Sequence, residues 1–387
     1  MKKRILQISN YQYPHIGGIE QVARDIMNVL SERPDIEQKM ICFNEDACDG
    51  KYVCHRKETV CEEVDGVEVI RCGCIAKVSS QSISITYRGV LKKLLKEFRP
   101  DIILFHYPNP FVASLLLPLI DQHSKLYLYW HLDITKQKIL GKVFHRQNIQ
   151  LIGRADKIIG ATPKHVNESA YSPYFSDKKY VLPYAINESR LQCSDFEKEK
   201  AVQIRKKYQD KIICFFVGRH VEYKGLEYLI EASSKISNNN IKIIVAGEGE
   251  LTTALKHKAQ EDVKVEFVGR LKDHELRAYL LSCDIFCFPS ITRNEAFGLA
   301  LAEAMYFGKP AITFSIPGSG VNYVNLHGVT GIECENRNSE AFSRAILQLS
   351  EDEMLRNKYG KNAHKRVIEN FTIGQFKKNI YELVEAE

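Results

Sequence analysis

The sequence contains no C-x-x-C pair, no D-x-D triad, no P-loop and no long apolar run, and each gap removes a class of protein. The longest apolar run, Phe111 to Ile120, is ten residues and holds Pro118, whereas a membrane-spanning helix needs about 20. Met1-Lys2-Lys3-Arg4 has the basic start of a secretory leader, but the apolar part stops at Ser9 and no small-residue cleavage site follows. The segment reads as a first β-strand, and the expected location is the cytosol. Six of the eleven cysteines (Cys42, Cys48, Cys54, Cys61, Cys72 and Cys74) fall in one stretch, yet none form the close ligand pairs of a zinc site. An odd count in a chain without an export signal reads as free thiols. The net charge is +6, from 54 Lys+Arg against 48 Asp+Glu, too small for a protein that packages nucleic acid. No basic patch carries a motif with interleaved stacking aromatics, so a nucleic-acid partner is not expected.

What remains is an ordinary globular composition, 44% hydrophobic and 26% charged. Its 387 residues exceed one core, and at roughly 150 residues per domain two are expected. Strand-length apolar runs alternate with amphipathic stretches: Ile5–Ser9, then Ile19–Leu30 with Ile19, Val22, Ile26, Val29 and Leu30 on one helical face. Lys39–Phe43, Val67–Arg71, Ile102–His106, Lys125–His131 and Lys157–Ala161 continue the pattern. It restarts at Ile212–Val217, with Leu226–Ile236 helical, then Ile241–Ala246, Val265–Val268, Asp284–Phe288 and Ala311–Phe314. The polar stretch 187–209 separates the halves, which places one domain over 1–188 and a second over 189–371. The pattern predicts two doubly wound α/β units with ligands at the carboxyl ends of strands, in the cleft between them.

Four groups of residues stand where such ligands would bind. Gly17-Gly18 follows the first strand and opens a helix, which lets a backbone approach an anion but equally makes a tight turn. Gly218-Arg219 ends the first strand of the second half and Lys224-Gly225 opens its first helix. Those two cations could neutralise a diphosphate or be solvated surface charge. Glu295 and Glu303, seven residues apart, flank Phe297-Gly298-Leu299 at the start of a helix. A buried Glu303 would need a hydrogen-bond donor such as a sugar hydroxyl. His131 ends an N-terminal-half strand, as a structural histidine or as one facing the ligand; the nearby Asp133 reads as a helix cap.

Gly17-Gly18, Gly218-Arg219 with Lys224-Gly225, and Glu295-x7-Glu303 with Phe297-Gly298 stand in the order and spacing of the retaining family 4 glycosyltransferases, which the chain resembles over nearly its whole length. The resemblance implies the GT-B fold, two Rossmann-like domains facing each other, with the terminal stretch 372–387 crossing back onto the first. It implies that Arg219 and Lys224 hold the donor diphosphate, and that Glu303 accepts hydrogen bonds from the ribose and Glu295 from the transferred sugar. Backbone amides around Phe297, Gly298 and Leu299 would meet the diphosphate or the sugar, the Gly17-Gly18 loop would close over the phosphates, and His131 would contact the sugar near its anomeric centre.

Pro317–Val324 is similar to a subgroup that makes bacterial surface polysaccharides, often as mannosyl- or rhamnosyltransferases, although Asn322 and Asn325 stand where many relatives carry an acid. A nucleotide-sugar donor such as GDP-mannose or a UDP-sugar, and a glycan or lipid-linked acceptor, follow from that likeness. With no D-x-D triad, no metal or other cofactor is expected. Two basic patches, Arg88, Lys92, Lys93, Lys96 and Arg99, and Lys136, Lys138, Lys142, His145 and Arg146, suggest peripheral contact with an anionic membrane or a plain solvated helix face. A GT-B epimerase or phosphorylase, or a silent sugar-nucleotide-binding protein, are the alternatives.

Overall fold

The computed structural model describes residues 2–14, 17–45, 55–78, 81–133 and 138–385, with the backbone alone for 138–143. It divides into two compact units: Met1–Leu182 with Phe376–Glu387, and Pro183–Gln375. No helix among the described residues is long and apolar enough to cross a membrane.

The first unit is built on an eight-stranded sheet. Its strands are β1 (Lys3–Ile8), β2 (Ile36–Phe43), β3 (Val60–Val64), β4 (Val67–Cys72), β7 (Ile102–Tyr107), β8 (Lys125–Trp130), β9 (Lys157–Gly160) and β10 (Lys179–Val181). A small separate hairpin, β5 (Ala76–Val78) and β6 (Gln81–Ile83), falls between β4 and β7. The sheet order is β10-β9-β8-β7-β1-β2-β4-β3, parallel except for the β3–β4 pair. Period-two alternation sorts its two faces. On β2, Met40 and Cys42 pack with Ala23 and Met27 of the helix Gly18–Ser31. Ile41 and Phe43 point the other way, toward Leu91, Leu94 and Phe98 of the helix Tyr87–Glu97 and its end. The strand order reverses between β1 and β7, so loops after these two strands diverge and leave room for a ligand.

The end of the helix Ile373–Glu385 is part of this unit. Lys3 Nζ donates to the Val384 carbonyl at 2.7 Å, Tyr381 Oη to that of Val29 at 3.3 Å and Tyr180 Oη to that of Asn379 at 3.1 Å. Lys377 pairs with Glu32 and Glu385 with Arg33.

The second unit holds a fully parallel six-stranded sheet: β11 (Ile212–Val217), β12 (Ile241–Ala246), β13 (Val265–Gly269), β14 (Ile285–Phe288), β15 (Ala311–Phe314) and β16 (Gly331–Cys334). The order is β13-β12-β11-β14-β15-β16. Helices cover both faces, so the central strands are buried throughout and read as continuous apolar runs. Phe215, Phe216 and Phe286 are wholly buried, each contributing roughly 1.5–3 kcal/mol of hydrophobic stabilisation. Covering helices start on side-chain caps: Asn338 accepts from the Ala341 amide at 2.9 Å and Asp352 from that of Leu355 at 2.8 Å. The strand order reverses between β11 and β14, which makes that pair the unit's switch point.

The cysteine stretch is structural where it is described. Cys42, Cys72 and Cys74 are buried free thiols and Cys61 an exposed one. Burial pushes the Cys42 thiol up to about 12 and that of Cys74 to about 11, so both stay protonated. Cys48 and Cys54 lie outside the described residues.

Candidate active site

In the second unit, specific backbone contacts join the loops that leave β11 and β14 at the switch point. After β11 the chain passes Gly218 and Arg219, makes a short turn over Glu222–Lys224 and enters the helix Leu226–Ser234 through Gly225. Gly225 has φ +62°, and a Cβ there would lie 2.2 Å from the Pro289 carbonyl oxygen, so only glycine fits. The Ile291 amide then bonds the Tyr223 carbonyl at 2.9 Å. This contact brings Lys224 to Glu295, although the two are far apart along the chain.

Lys224 Nζ donates to Glu295 Oε2 at 2.5 Å, and Ser290 Oγ reaches the same oxygen at 3.2 Å. The two charged side chains are 12% and 13% exposed. The ammonium also lies 4.9 Å above the Phe288 ring and 5.4 Å above that of Tyr223. Burial pulls the Lys224 pKa down, but the attraction of Glu295 and Tyr223 outweighs it and the net shift is upward. The pair therefore holds a fixed cation in a partly dry site. Arg219 is exposed, and its charge acts on both Lys224 and Tyr223.

The backbone beyond Glu295 is held from a third loop: Ser319 Oγ donates to the Glu295 carbonyl, and a Cβ on Gly320 would lie 2.0 Å from the Ala296 oxygen. Phe297, 1% exposed, packs 5.4 Å from Tyr184 and 5.2 Å from Phe371. Gly298 turns at φ +91° and Leu299 starts the helix Leu299–Tyr306. The first-turn amides of that helix have no carbonyl one turn back to bond, a general feature that favours an anion. Glu303 follows one turn later on the helix. Burial pushes its carboxyl up to about 7, with Arg190 pulling down and Asp273 pushing up. Lys224, Glu295, Phe297, Gly298, Leu299 and Glu303 thus share one end of one sheet, with Arg219 in electrostatic reach.

His131, Gly17 and Gly18 belong to the first unit. His131 follows β8 directly, and its amide bonds the Tyr107 carbonyl at 3.1 Å. The ring is wholly buried: His131 Nε2 is 2.9 Å from His106 Nδ1, whose own Nε2 is 3.1 Å from Gln7 Oε1. Burial drives both imidazoles toward the neutral form, His106 down to about 3, with His106 and His165 adding to the effect on His131. Neither His106 nor Gln7 stands out in the sequence; both occupy ordinary strand positions on the two strands of this unit's switch point. Gly17 is extended and Gly18 opens its helix, where a Cβ would meet nothing within 4 Å. His15 and Ile16 of that loop lie outside the described residues. The loop's earlier part is pinned by Arg71, 1% exposed, which donates to the carbonyls of Gln12 and Tyr13 and pairs with Glu62 at 2.5 Å.

Several polar residues turn inward. Asp133 accepts from Trp130 Nε1 at 2.7 Å, Ser169 Oγ at 2.8 Å and the Ala170 amide at 3.0 Å. Asn322 bridges the Ile316 amide and the Phe314 carbonyl at 2.8 and 3.0 Å, and Asn325 bonds the hydroxyls of Thr313 and Thr330. Both amides are buried and spent on their own loop. On the helix Tyr87–Glu97 the leucines Leu91 and Leu94 are buried, Val90 and Leu95 are half-buried, and Arg88, Lys92, Lys93 and Lys96 are exposed. In the second patch, Lys136 and the side chains of Lys138 and Lys142 lie outside the described residues.

The model for Glycosyltransferase Family 4 matches residues 16–190, and that for glycosyl transferases group 1 matches 197–366. Over 372 residues the chain is 28% identical to the O-antigen chain mannosyltransferase C of Escherichia coli, across 95% of this chain and 94% of that one. It is 28% identical over 300 residues to the D-rhamnosyltransferase WbpZ of Pseudomonas aeruginosa, across 75% and 76% of the two. HepE of Anabaena, solved in complex with UDP, is similar in fold with a TM-score of 0.77 over 100% of both chains at 17% identity.

Proposed function

The chain belongs to the family 4 glycosyltransferases of GT-B fold, and from that premise we propose that it is a retaining, metal-independent hexosyltransferase of surface-polysaccharide synthesis. The donor in this reading is a nucleoside-diphosphate sugar, GDP-mannose or a UDP-sugar, and the acceptor a glycan or a lipid-linked glycan. The observation that carries it is the Lys224–Glu295 pair at the β11/β14 switch point, beside the amide end of the helix Leu299–Tyr306.

The chemistry follows from those charges. The bond between the anomeric carbon and the diphosphate breaks with its electron pair going to the phosphate oxygen. Lys224, Arg219 and the helix amides stabilise the negative charge that builds there. An arriving diphosphate competes with Glu295 for the Lys224 ammonium and frees the carboxylate for the sugar hydroxyls. The acceptor hydroxyl forms the new bond on the face that the diphosphate leaves, and its proton passes to the departing phosphate oxygen. Glu303 receives the ribose hydroxyls. His131, neutral and wholly buried against His106, would meet the sugar only once donor binding uncovers its ring, and adds no positive charge next to the developing cation. Gly17 and Gly18 let the backbone close on the phosphates; among the described residues, nothing lies within 4 Å of where a Cβ at 18 would stand.

The relatives named for O-antigen mannosyl and D-rhamnosyl transfer support a hexose or deoxyhexose donor and a surface glycan product, and the neighbour solved with UDP supports a nucleotide-sugar donor. The outward cations Arg88, Lys92, Lys93 and Lys96 support electrostatic contact with an anionic membrane that carries the acceptor. A thermal-shift panel of nucleoside diphosphates and their sugars tests the reading. At least one is expected to raise the melting temperature by mass action, and a panel in which none does contradicts it.

A further inference from the structure

Arg219 is an exposed side chain on a backbone locked from both sides. The Gly218 amide before it bonds the Ala246 carbonyl at 3.2 Å, and the His220 amide after it bonds the Glu248 carbonyl at 3.1 Å. The His220 carbonyl in turn accepts from the Leu251 amide at 3.0 Å. The loops after β11 and β12 are therefore laced together around one residue. Contact is close enough that a Cβ on Gly249 would lie 2.5 Å from the His220 oxygen.

The lacing closes through one side chain. His220 is wholly buried, its ring 5.9 Å from Phe267, and its Nδ1 lies 2.9 Å from Thr252 Oγ1. The same hydroxyl accepts the Gly249 amide at 2.8 Å. The hydroxyl and Nδ1 share one hydrogen bond, with the proton on either partner according to the imidazole tautomer. Burial lowers the His220 pKa, against weaker opposing pulls from the Ala246 carbonyl and Glu248, and so favours a neutral ring. Thr252 Oγ1 thus links the Gly249 amide to His220 Nδ1.

We infer that His220, braced by Thr252, is a positioning residue for Arg219: it fixes the backbone from which Arg219 reaches the donor diphosphate. The inference rests on the reading of Arg219 as a diphosphate partner and adds a residue which the sequence pattern does not single out. His220 touches no substrate in this arrangement. Its effect is on how tightly the diphosphate is held, not on the fold of the sheet behind it.

The test is calorimetric binding of UDP, GDP and ADP to the full chain. Thr252→Val keeps the shape and removes the hydroxyl; His220→Asn keeps a hydrogen-bonding group close to where Nδ1 sits; His220→Ala removes it. Thr252→Val and His220→Ala are expected to raise the Kd of the nucleotide that wild type binds by about 3- to 10-fold, one hydrogen bond's worth. Thr252→Ser and His220→Asn should restore most of it. In an Arg219→Ala background the same substitutions should change Kd by less than about twofold, because the group they position is gone. Kd values unchanged in Thr252→Val and His220→Ala overturn the inference and leave the glycosyltransferase reading intact. An equal loss with and without Arg219 overturns the proposed route through Arg219. Wild type that binds none of the three overturns the reading on which the inference rests.

Discussion

Replacing Glu303 with glutamine should change the response of stability to pH, by an amount that follows from burial. The carboxyl is raised from 4.5 to about 7 in the folded chain. A raised acid binds its proton more tightly folded than unfolded, so its contribution is fully present below about pH 4.5 and is lost as pH rises through about 7. At about 1.4 kcal/mol per pKa unit the loss is about 3 kcal/mol, an upper bound because the site can relax and admit water. A glutamine side chain has nearly the same shape and nothing to ionise. Relative to wild type, Glu303→Gln should therefore gain up to about 3 kcal/mol between about pH 5 and about pH 8. At about 2–4 °C per kcal/mol for a domain of this size, the melting temperatures should separate by several degrees. Differential scanning calorimetry across that range, on both proteins in matched buffers, reads the difference directly, and other titrating groups cancel. Parallel curves would refute the burial-driven shift. The same carboxyl links stability to ligand: if ribose hydroxyls donate to the ionised form, nucleotide binding at a pH of about 6.5 should release a fraction of a proton, seen as a buffer-dependent binding enthalpy.

Other expectations concern the cation, the turn, the metal and the membrane. Lys224→Ala should lower kcat on the order of 10²- to 10³-fold, the cost of losing one preorganised charge; turnover within a few-fold of wild type contradicts its role. Gly225→Ala should destabilise by about 1–3 kcal/mol, since its φ is +62° and the new Cβ meets the Pro289 oxygen; an unchanged melting temperature would sink the close-approach reading. Transfer should survive excess EDTA, and loss restored by added Mg²⁺ or Mn²⁺ would show that Arg219 and Lys224 do not suffice. Sedimentation with anionic vesicles should be salt-sensitive and weaken when Lys92 and Lys96 are both replaced by glutamine; binding indifferent to salt or to those changes retires the proposed membrane contact.

The central strands were legible because burial on both faces demands uninterrupted apolar runs such as Ile212–Val217 and Ile241–Ala246. Strand β3 was not: its Val60–Val64 segment lies at the sheet edge, half exposed, with Glu62 and Glu63 in it, so no apolar run marks it. The three-residue β10 is too short for periodicity to register, and β16 carries Gly331 and Glu333 among its four residues, so no apolar run marks it. Glu295 and Lys224 were each readable as polar groups at the right ends of elements, but their pairing depends on which loops meet at the switch point, and only topology sets that. Identity also says little about a polar residue's direction. Asn322 and Asn325 spend their amides inside their own loop, and His131 is reached through His106 and Gln7, residues that read as plain strand.

The most direct test is transfer itself. Purified enzyme is incubated with each sugar nucleotide that shifts its melting temperature, together with a lipid-linked or free glycan acceptor, and the product is analysed by mass spectrometry and by NMR of its anomeric proton. The proposed function requires acceptor-dependent release of nucleoside diphosphate and one added hexose or deoxyhexose, with the donor's anomeric configuration retained. Inverted configuration would contradict the same-face mechanism, and an isomerised donor or a free sugar phosphate with no glycosylated product would contradict transfer altogether.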